Sequence, residues 1–127
     1  QNDKSILYQE RFEGYFNNRP NLYNQYKKII NKLDKTEVSK KDFIALHLGG
    51  DSWDYPFLVM LKKKFNNKLP YVFHLKKTDI EKIEDISSFP MYIIFENQFS
   101  NNFVEAGMYY ETKETSKDFS LIKKLNQ

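Results

Sequence analysis

Residues 43 to 65 read FIALHLGGDSWDYPFLVMLKKKF, and the reading of this stretch decides the fold. Phe43-Ile44-Ala45-Leu46-His47-Leu48 is a continuous run rather than an alternating one. A strand buried on both faces looks like this, as in the parallel sheet of an α/β protein. Gly49 and Gly50 follow, and glycine reaches backbone angles closed to other residues, so a sharp turn is expected at the strand's end. Asp51 or Ser52 can cap the next helix by accepting a backbone N–H. Pro56 fits only the first turn of that helix. Phe57, Leu58, Met60, Leu61 and Phe65 then lie on one broad face. Lys62, Lys63 and Lys64 fall in the last turn, where cations suit the negative end of the helix dipole.

The loop from Gly49 to Pro56 stands where ligands bind in open α/β sheets, outside the carboxyl ends of the strands. Two readings are open. In one, Asp51 and Asp54 hold a metal or a sugar hydroxyl while Trp53 and Tyr55 stack on a sugar ring. In the other, Asp51 only caps the helix and Trp53 only plugs the sheet edge. The glycine pair matches neither a dinucleotide fingerprint nor a P-loop.

At 127 residues the chain is long enough for one domain, 1–127, with a modest core. Nine Tyr and eleven Phe can fill that core. The net charge of +3 is spread among interleaved lysines and acids, so nucleic acid is not an expected partner. Absence of cysteine excludes disulfides, thiolate zinc sites and cysteine nucleophiles. No run of 18 apolar residues is present to span a membrane, and no signal peptide is seen. The chain starts at Gln1 rather than Met, and the expectation is a processed product or a piece of a longer protein.

Residues 1–18 read as a short helical or irregular arm. Asn18-Arg19-Pro20 opens a helix whose stripe is Leu22, Tyr26, Ile29, Ile30 and Leu33, with Lys27, Lys28 and Lys32 opposite. Residues 34–42 form a loop into the central strand. Asn66-Asn67-Lys68 is a turn and residues 69–75 a second strand, completing a right-handed βαβ crossover. Residues 76–88 hold a short helix with Thr78 and Asp79 as caps and Ile80, Ile83 and Ile86 as its stripe. Residues 91–95 are a third, continuously apolar strand. A polar loop is expected at 97–102. Residues 103–108 read as a short helix capped by Gly107 or as a bent strand. Residues 108–113 and 119–125 read as two antiparallel strands around a turn at 115–118, with a helix over 117–125 as the alternative. The expected fold is a small three-layer α/β domain with a mainly parallel central sheet on a βαβ core and antiparallel C-terminal strands.

His47 and His74 fall near the ends of adjacent strands, where they could approach each other and, with Asp51, hold a metal. Packing histidines are the plainer reading, and neither metal nor cofactor is expected. No serine has a nucleophile-elbow context. Glu81, Glu84 and Asp85 read as a solvated acidic face. Ser88-Phe89-Pro90 is similar to the cis-proline strand of thioredoxins. That fold stays open, but the C-x-x-C its redox chemistry needs is absent.

Gly49-Gly50-Asp51-Ser52-Trp53-Asp54-Tyr55-Pro56 resembles a G-G-D-[ST]-W-[DE]-Y-P segment of membrane-embedded glycosyltransferases of the GT-C type, which use polyprenyl-phosphate sugars. Phe57-Leu58 stands here in place of the usual Leu-Trp. RPNLYNQYKKII (19–30) and DFSLIKKLN (118–126) look like the flanks of the same soluble domain. The resemblance implies an extracytoplasmic domain tethered to the membrane-embedded remainder of its own polypeptide. Such a domain is not catalytic alone. It covers the membrane active site or binds acceptor glycan or lipid-linked sugar, with Asp51, Ser52, Trp53, Asp54 and Tyr55 as the contacts. Two other classes fit the residues: a secreted or surface binding module, and a free-standing sugar or nucleotide enzyme.

Overall fold

In the computed structural model, residues 13–36, 38, 43–50, 54–66, 71–82 and 86–125 are described. Asp51, Ser52, Trp53, Ile83, Glu84 and Asp85 lie outside them, as do most of the arm at 1–12, part of the loop at 34–42 and the segment 67–70. Residues 13–17 are helical. The chain continues through helix α1 (Pro20–Asn31), strand β1 (Phe43–His47), helix α2 (Tyr55–Lys64), strand β2 (Tyr71–His74) and a short helix α3 (Lys77–Glu81). Strand β3 (Tyr92–Glu96), 3-10 turns at Asn97–Phe103 and Glu105–Met108, and the hairpin strands β4 (Tyr110–Thr115) and β5 (Phe119–Lys124) follow.

The sheet order is β2-β1-β3-β5-β4. β1 pairs in parallel with both β2 and β3, and Ile44, Ala45 and Leu46, whose side chains alternate between the two faces, are all buried. β5 pairs antiparallel with β3 and with β4. The hairpin at the C-terminus was anticipated, but its insertion order was not. β5 lies inside the sheet rather than at an edge, which is why Phe119 through Lys123 are all buried although the sequence alternates poorly.

Chain direction produces the three layers. The connection from β1 to β2 runs one way along the sheet, and that from β2 to β3 runs back across β1. Crossovers of one hand running in opposite directions cover opposite faces. On one face α1 and α2 bury Tyr26, Ile29, Phe57 and Leu61 against Ile44, Leu46, Ile94 and Leu121. On the other, Leu75, Ile80, Phe103 and Ala106 cover Ala45, Ile93, Phe95 and Ile122. The predicted α1 stripe is the packed one, and Lys27, Lys28 and Lys32 are exposed. Among the described residues no helix is long and apolar enough to cross a membrane.

Side chains tie the hairpin turn to the rest. Asn97, just after β3, donates from Nδ2 to the carbonyls of Ser116 and Lys117 at 2.8 and 3.0 Å, and its Oδ1 accepts from Ser120 Oγ. Gln25 of α1 accepts from the Asp118 N–H at 2.7 Å and donates to its carboxylate at 2.8 Å.

Several local expectations are corrected. The polar stretch at 97–102 is helical, in the tight 3-10 form, and ends in the buried Phe103. Residues 105–108 take the helical alternative, but Gly107 sits within that turn and does not cap it. The turn expected after α2 is not corrected: Asn66 adopts the left-handed conformation there, with φ 52°. Of the two caps suggested for α3, Asp79 bonds back to the Lys76 N–H at 3.0 Å. No peptide bond is cis among the described residues, so the likeness of Phe89-Pro90 to the thioredoxin strand ends there.

Burial sets a pH limit on this core. Tyr26 and Tyr110 are held far above the ordinary phenol range, in both cases chiefly by burial. Their folded forms keep the proton when the unfolded chain loses it near pH ~10. The resulting stabilisation is complete below that pH and is lost progressively as pH rises above it towards the raised values of the folded state. Alkaline titration at the phenolate absorbance band should show these two protons leaving only with unfolding. Tyr110→Phe should flatten the fall of stability with pH in that range. Complete phenolate formation with intact far-ultraviolet dichroism would contradict the burial.

Candidate functional site

The three parallel strands end on one edge of the sheet, at His47, His74 and Glu96. Of the predicted site residues, Asp54 and Tyr55 are described, and they stand at the start of α2 on this edge. The carboxylate of Asp54 makes no capping bond to α2. Its Oδ2 lies 2.7 Å from His74 Nε2 instead, joining the start of α2 to the end of β2. The pair is on the surface, with the His74 side chain 62% and that of Asp54 30% exposed. Tyr55 is half-buried beside it. The sequence reading missed this partner because twenty residues and a helix separate the two. The signal that could have found it is positional: the last residue of one parallel strand lies near the first turn of the helix that precedes it.

The two histidines do not come together. The register pairs Leu46, not His47, with His74. A one-residue offset sends neighbouring strand side chains to opposite faces. His74 therefore meets α2, while His47 packs edge-on against Phe99 and Phe103 on the other face. Both ring nitrogens of His47 are used. Nδ1 is 2.8 Å from the Leu75 carbonyl, which can only accept, so this nitrogen carries the proton. Nε2 then accepts from the Asn102 amide at 3.1 Å. The imidazole is a packed, hydrogen-bonded group, and a metal would have to break one of these bonds to reach it.

In a sheet where the chain leaves β1 first to one side and then to the other, ligands usually enter the crevice between the two strands at that reversal. Here that crevice lies between β1 and β3, and the protein fills it with its own side chains. Glu96, 8% exposed, accepts the Gly49 N–H through Oε1 at 2.5 Å and Gln98 Nε2 through Oε2 at 2.7 Å. A carboxylate of the chain thus takes the backbone amide that a bound anion would use. Phe99 closes the same gap, 3.3 Å from where a Cβ on Gly49 would be.

That contact corrects the role given to the glycines. Neither has positive φ, so the turn does not need glycine's angles. Space around Gly49 is tight instead. An added Cβ would meet Gln98 Nε2, Glu96 Oε1 and Phe99 Cζ, each at 3.3 Å. A Cβ on Gly50 would meet nothing within 4 Å.

A cleft of about 360 Å³ opens elsewhere, between α1 and the C-terminal half of α2. Tyr23, Lys27, Ile30, Asn31, Val59, Met60, Lys63 and Lys64 line it. Lys64 Nζ donates to the Ile30 carbonyl in the last turn of α1 at 2.8 Å. Its pKa is lowered, first by burial and also by Lys35, with Asp34 acting in the opposite sense. Among the described residues no three His, Asp or Glu side chains gather as a metal site.

Compared with known proteins, the chain matches no family model, no curated protein and no solved structure.

Proposed function

We propose that this domain is a non-catalytic binding module of a membrane-embedded glycosyltransferase, holding acceptor glycan or covering the membrane active site through Asp51, Ser52, Trp53, Asp54 and Tyr55. One observation carries the reading: the Asp54–His74 pair on the open rim beside Tyr55. Among the described residues Asp54 is hydrogen-bonded through Oδ2 to the imidazole, which leaves Oδ1 as the acceptor proposed for a sugar hydroxyl. A fixed carboxylate, an imidazole and neighbouring aromatic rings match the hydroxyls and the apolar face of a sugar. With the β1–β3 crevice filled by Glu96 and Phe99, the rim on the β1–β2 side is the part of this edge left for a ligand. On this reading the domain sits on the extracytoplasmic face, tethered through helices of the same polypeptide, and needs no cofactor.

Trp53 is the chain's single tryptophan, so its fluorescence reports on the proposed contact directly. Titration with an oligosaccharide panel should show weak binding, with a Kd on the order of 1 mM. Calorimetry on Trp53→Ala, Asp54→Asn and His74→Gln should show binding lost in the first and weakened in the other two. Unaltered binding by Trp53→Ala and Asp54→Asn would remove these contacts from the proposal. Turnover of an activated sugar by the domain alone would replace the module with a free-standing enzyme.

A further inference from the structure

We infer that the cleft between α1 and α2 binds a small soluble organic phosphate, its phosphate held by Lys27, Lys63 and Lys64 and its apolar part seated on Ile30, Val59 and Met60. The site is separate from the strand-end corner, and the inference does not rest on the glycan reading.

The lysines of α1 make the contrast. Lys28 and Lys32 turn toward the hairpin, where Glu114 lies 3.5 and 3.9 Å from them. Lys27 turns the other way, its ammonium 5.3 Å from the centre of the Tyr23 ring. Lys63 and Lys64 face it from α2. Among the described residues none of these three has a carboxylate at ion-pair distance, and the cleft lining contains no acid. Asp34, outside the lining, accepts from the Thr36 N–H and hydroxyl and also favours the charged form of Lys64.

Helix dipoles explain part of this arrangement. Lys63 and Lys64 are in the last turn of α2, and Lys64 bonds the end of α1. Dipoles do not explain Lys27, which lies in the middle of α1 and brings a third positive charge to the same recess. Burial lowers the pKa of Lys64, so its charge is poorly solvated there and an anion would relieve that cost.

Chemistry narrows the ligand. Lysine is a compact point charge with three donors, suited to a phosphate that can be approached from several sides. The floor formed by Ile30, Val59 and Met60 is apolar, so inorganic phosphate alone would leave it empty. A volume of about 360 Å³ suits a small molecule, near the lower end of ligand-site volumes.

The test is titration of the ¹⁵N-labelled domain with octyl phosphate, octan-1-ol and inorganic phosphate, followed by NMR. Octyl phosphate should saturate, with shifts centred on Lys27, Ile30, Met60 and Lys63, and bind about tenfold tighter than either comparator. Lys27→Gln/Lys63→Gln should weaken it about tenfold, whereas Lys113→Gln/Lys117→Gln, the same loss of two charges outside the cleft, should leave it unaltered. The fold of both variants can be checked in the same spectra. Equal binding of octanol and octyl phosphate, non-saturating shifts at all surface lysines, or an unaffected double variant would each overturn the proposal. Flotation with phosphatidylcholine vesicles containing phosphatidic acid guards the choice of a soluble ligand. Vesicle capture that depends on Lys27 and Lys63 would overturn it in favour of a lipid headgroup.

Discussion

Phe57→Ala is expected to lower the unfolding free energy by about 4 kcal/mol, the largest loss for any single side chain considered. Phe57 is fully buried in the first turns of α2. Its ring centre lies 4.2 Å from that of Tyr26 on α1 and 5.1 Å from that of Phe119 on β5. Tyr26 and Phe119 also touch, at 5.0 Å, so the three rings join two helices and an inner strand. None can collapse into the space left by a missing ring, because each is fixed on a separate regular element. The cavity cost therefore adds to the lost burial. A domain of this size has about 5–15 kcal/mol to lose, so the variant would be partly unfolded at modest denaturant. Urea unfolding measures this, and Phe57→Leu, which keeps most of the volume, should cost well under half as much. A shift for Phe57→Ala below about 1 kcal/mol would mean the three rings are not packed together. The strand-end corner should loosen too, because Asp54 is carried by the same helix start.

Glu96→Ala should cost about 2–3 kcal/mol, and the loss should be local to the strand ends. The buried carboxylate is the acceptor for both the Gly49 N–H and the Gln98 side chain. Removing it leaves these donors facing a gap in the β1–β3 crevice. Glu96→Gln keeps the shape but brings an NH₂ group against one of the two donors, so it should lose about half as much. A double-mutant cycle with Gly49→Ala separates this account from ordinary packing. In the wild type the new methyl presses on Glu96, Gln98 and Phe99 and should cost about 1 kcal/mol. In the Glu96→Ala background it enters the vacated space, and the cost should shrink or vanish. Strict additivity of the two changes, measured by chemical denaturation, would show that Gly49 and Glu96 do not share one site.

Much of the architecture was legible locally. The unbroken run at 44–46, the stripe of α1 and Pro56 in the first turn of α2 each report a period or a backbone restriction, and those are properties of neighbouring residues. Lys123 shows where this stops. It interrupts the alternation of Phe119, Leu121 and Leu125 and leaves a helix over 117–125 as an alternative, yet β5 is enclosed by β3 and β4 and Lys123 is buried with the rest. Of the GGDSWDYP stretch, Asp54 and Tyr55 are found at the strand-end edge of the sheet, while Asp51, Ser52 and Trp53 lie outside the described residues. The carboxylate's partner was not legible, nor was the cleft between α1 and α2, because each joins residues from separate elements.

The sequence by itself determined the helices and strands of the βαβ core and that the central strand is covered on both faces, because side-chain period, proline and burial patterns act over a few residues. Only the tertiary structure decided that β5 enters the sheet beside β3, that His47 and His74 face opposite ways, and that Glu96 fills the crevice where a ligand would enter. Those outcomes depend on strand order and on a register exact to one residue. Both are set by contacts between groups far apart in the chain, and no local pattern encodes them.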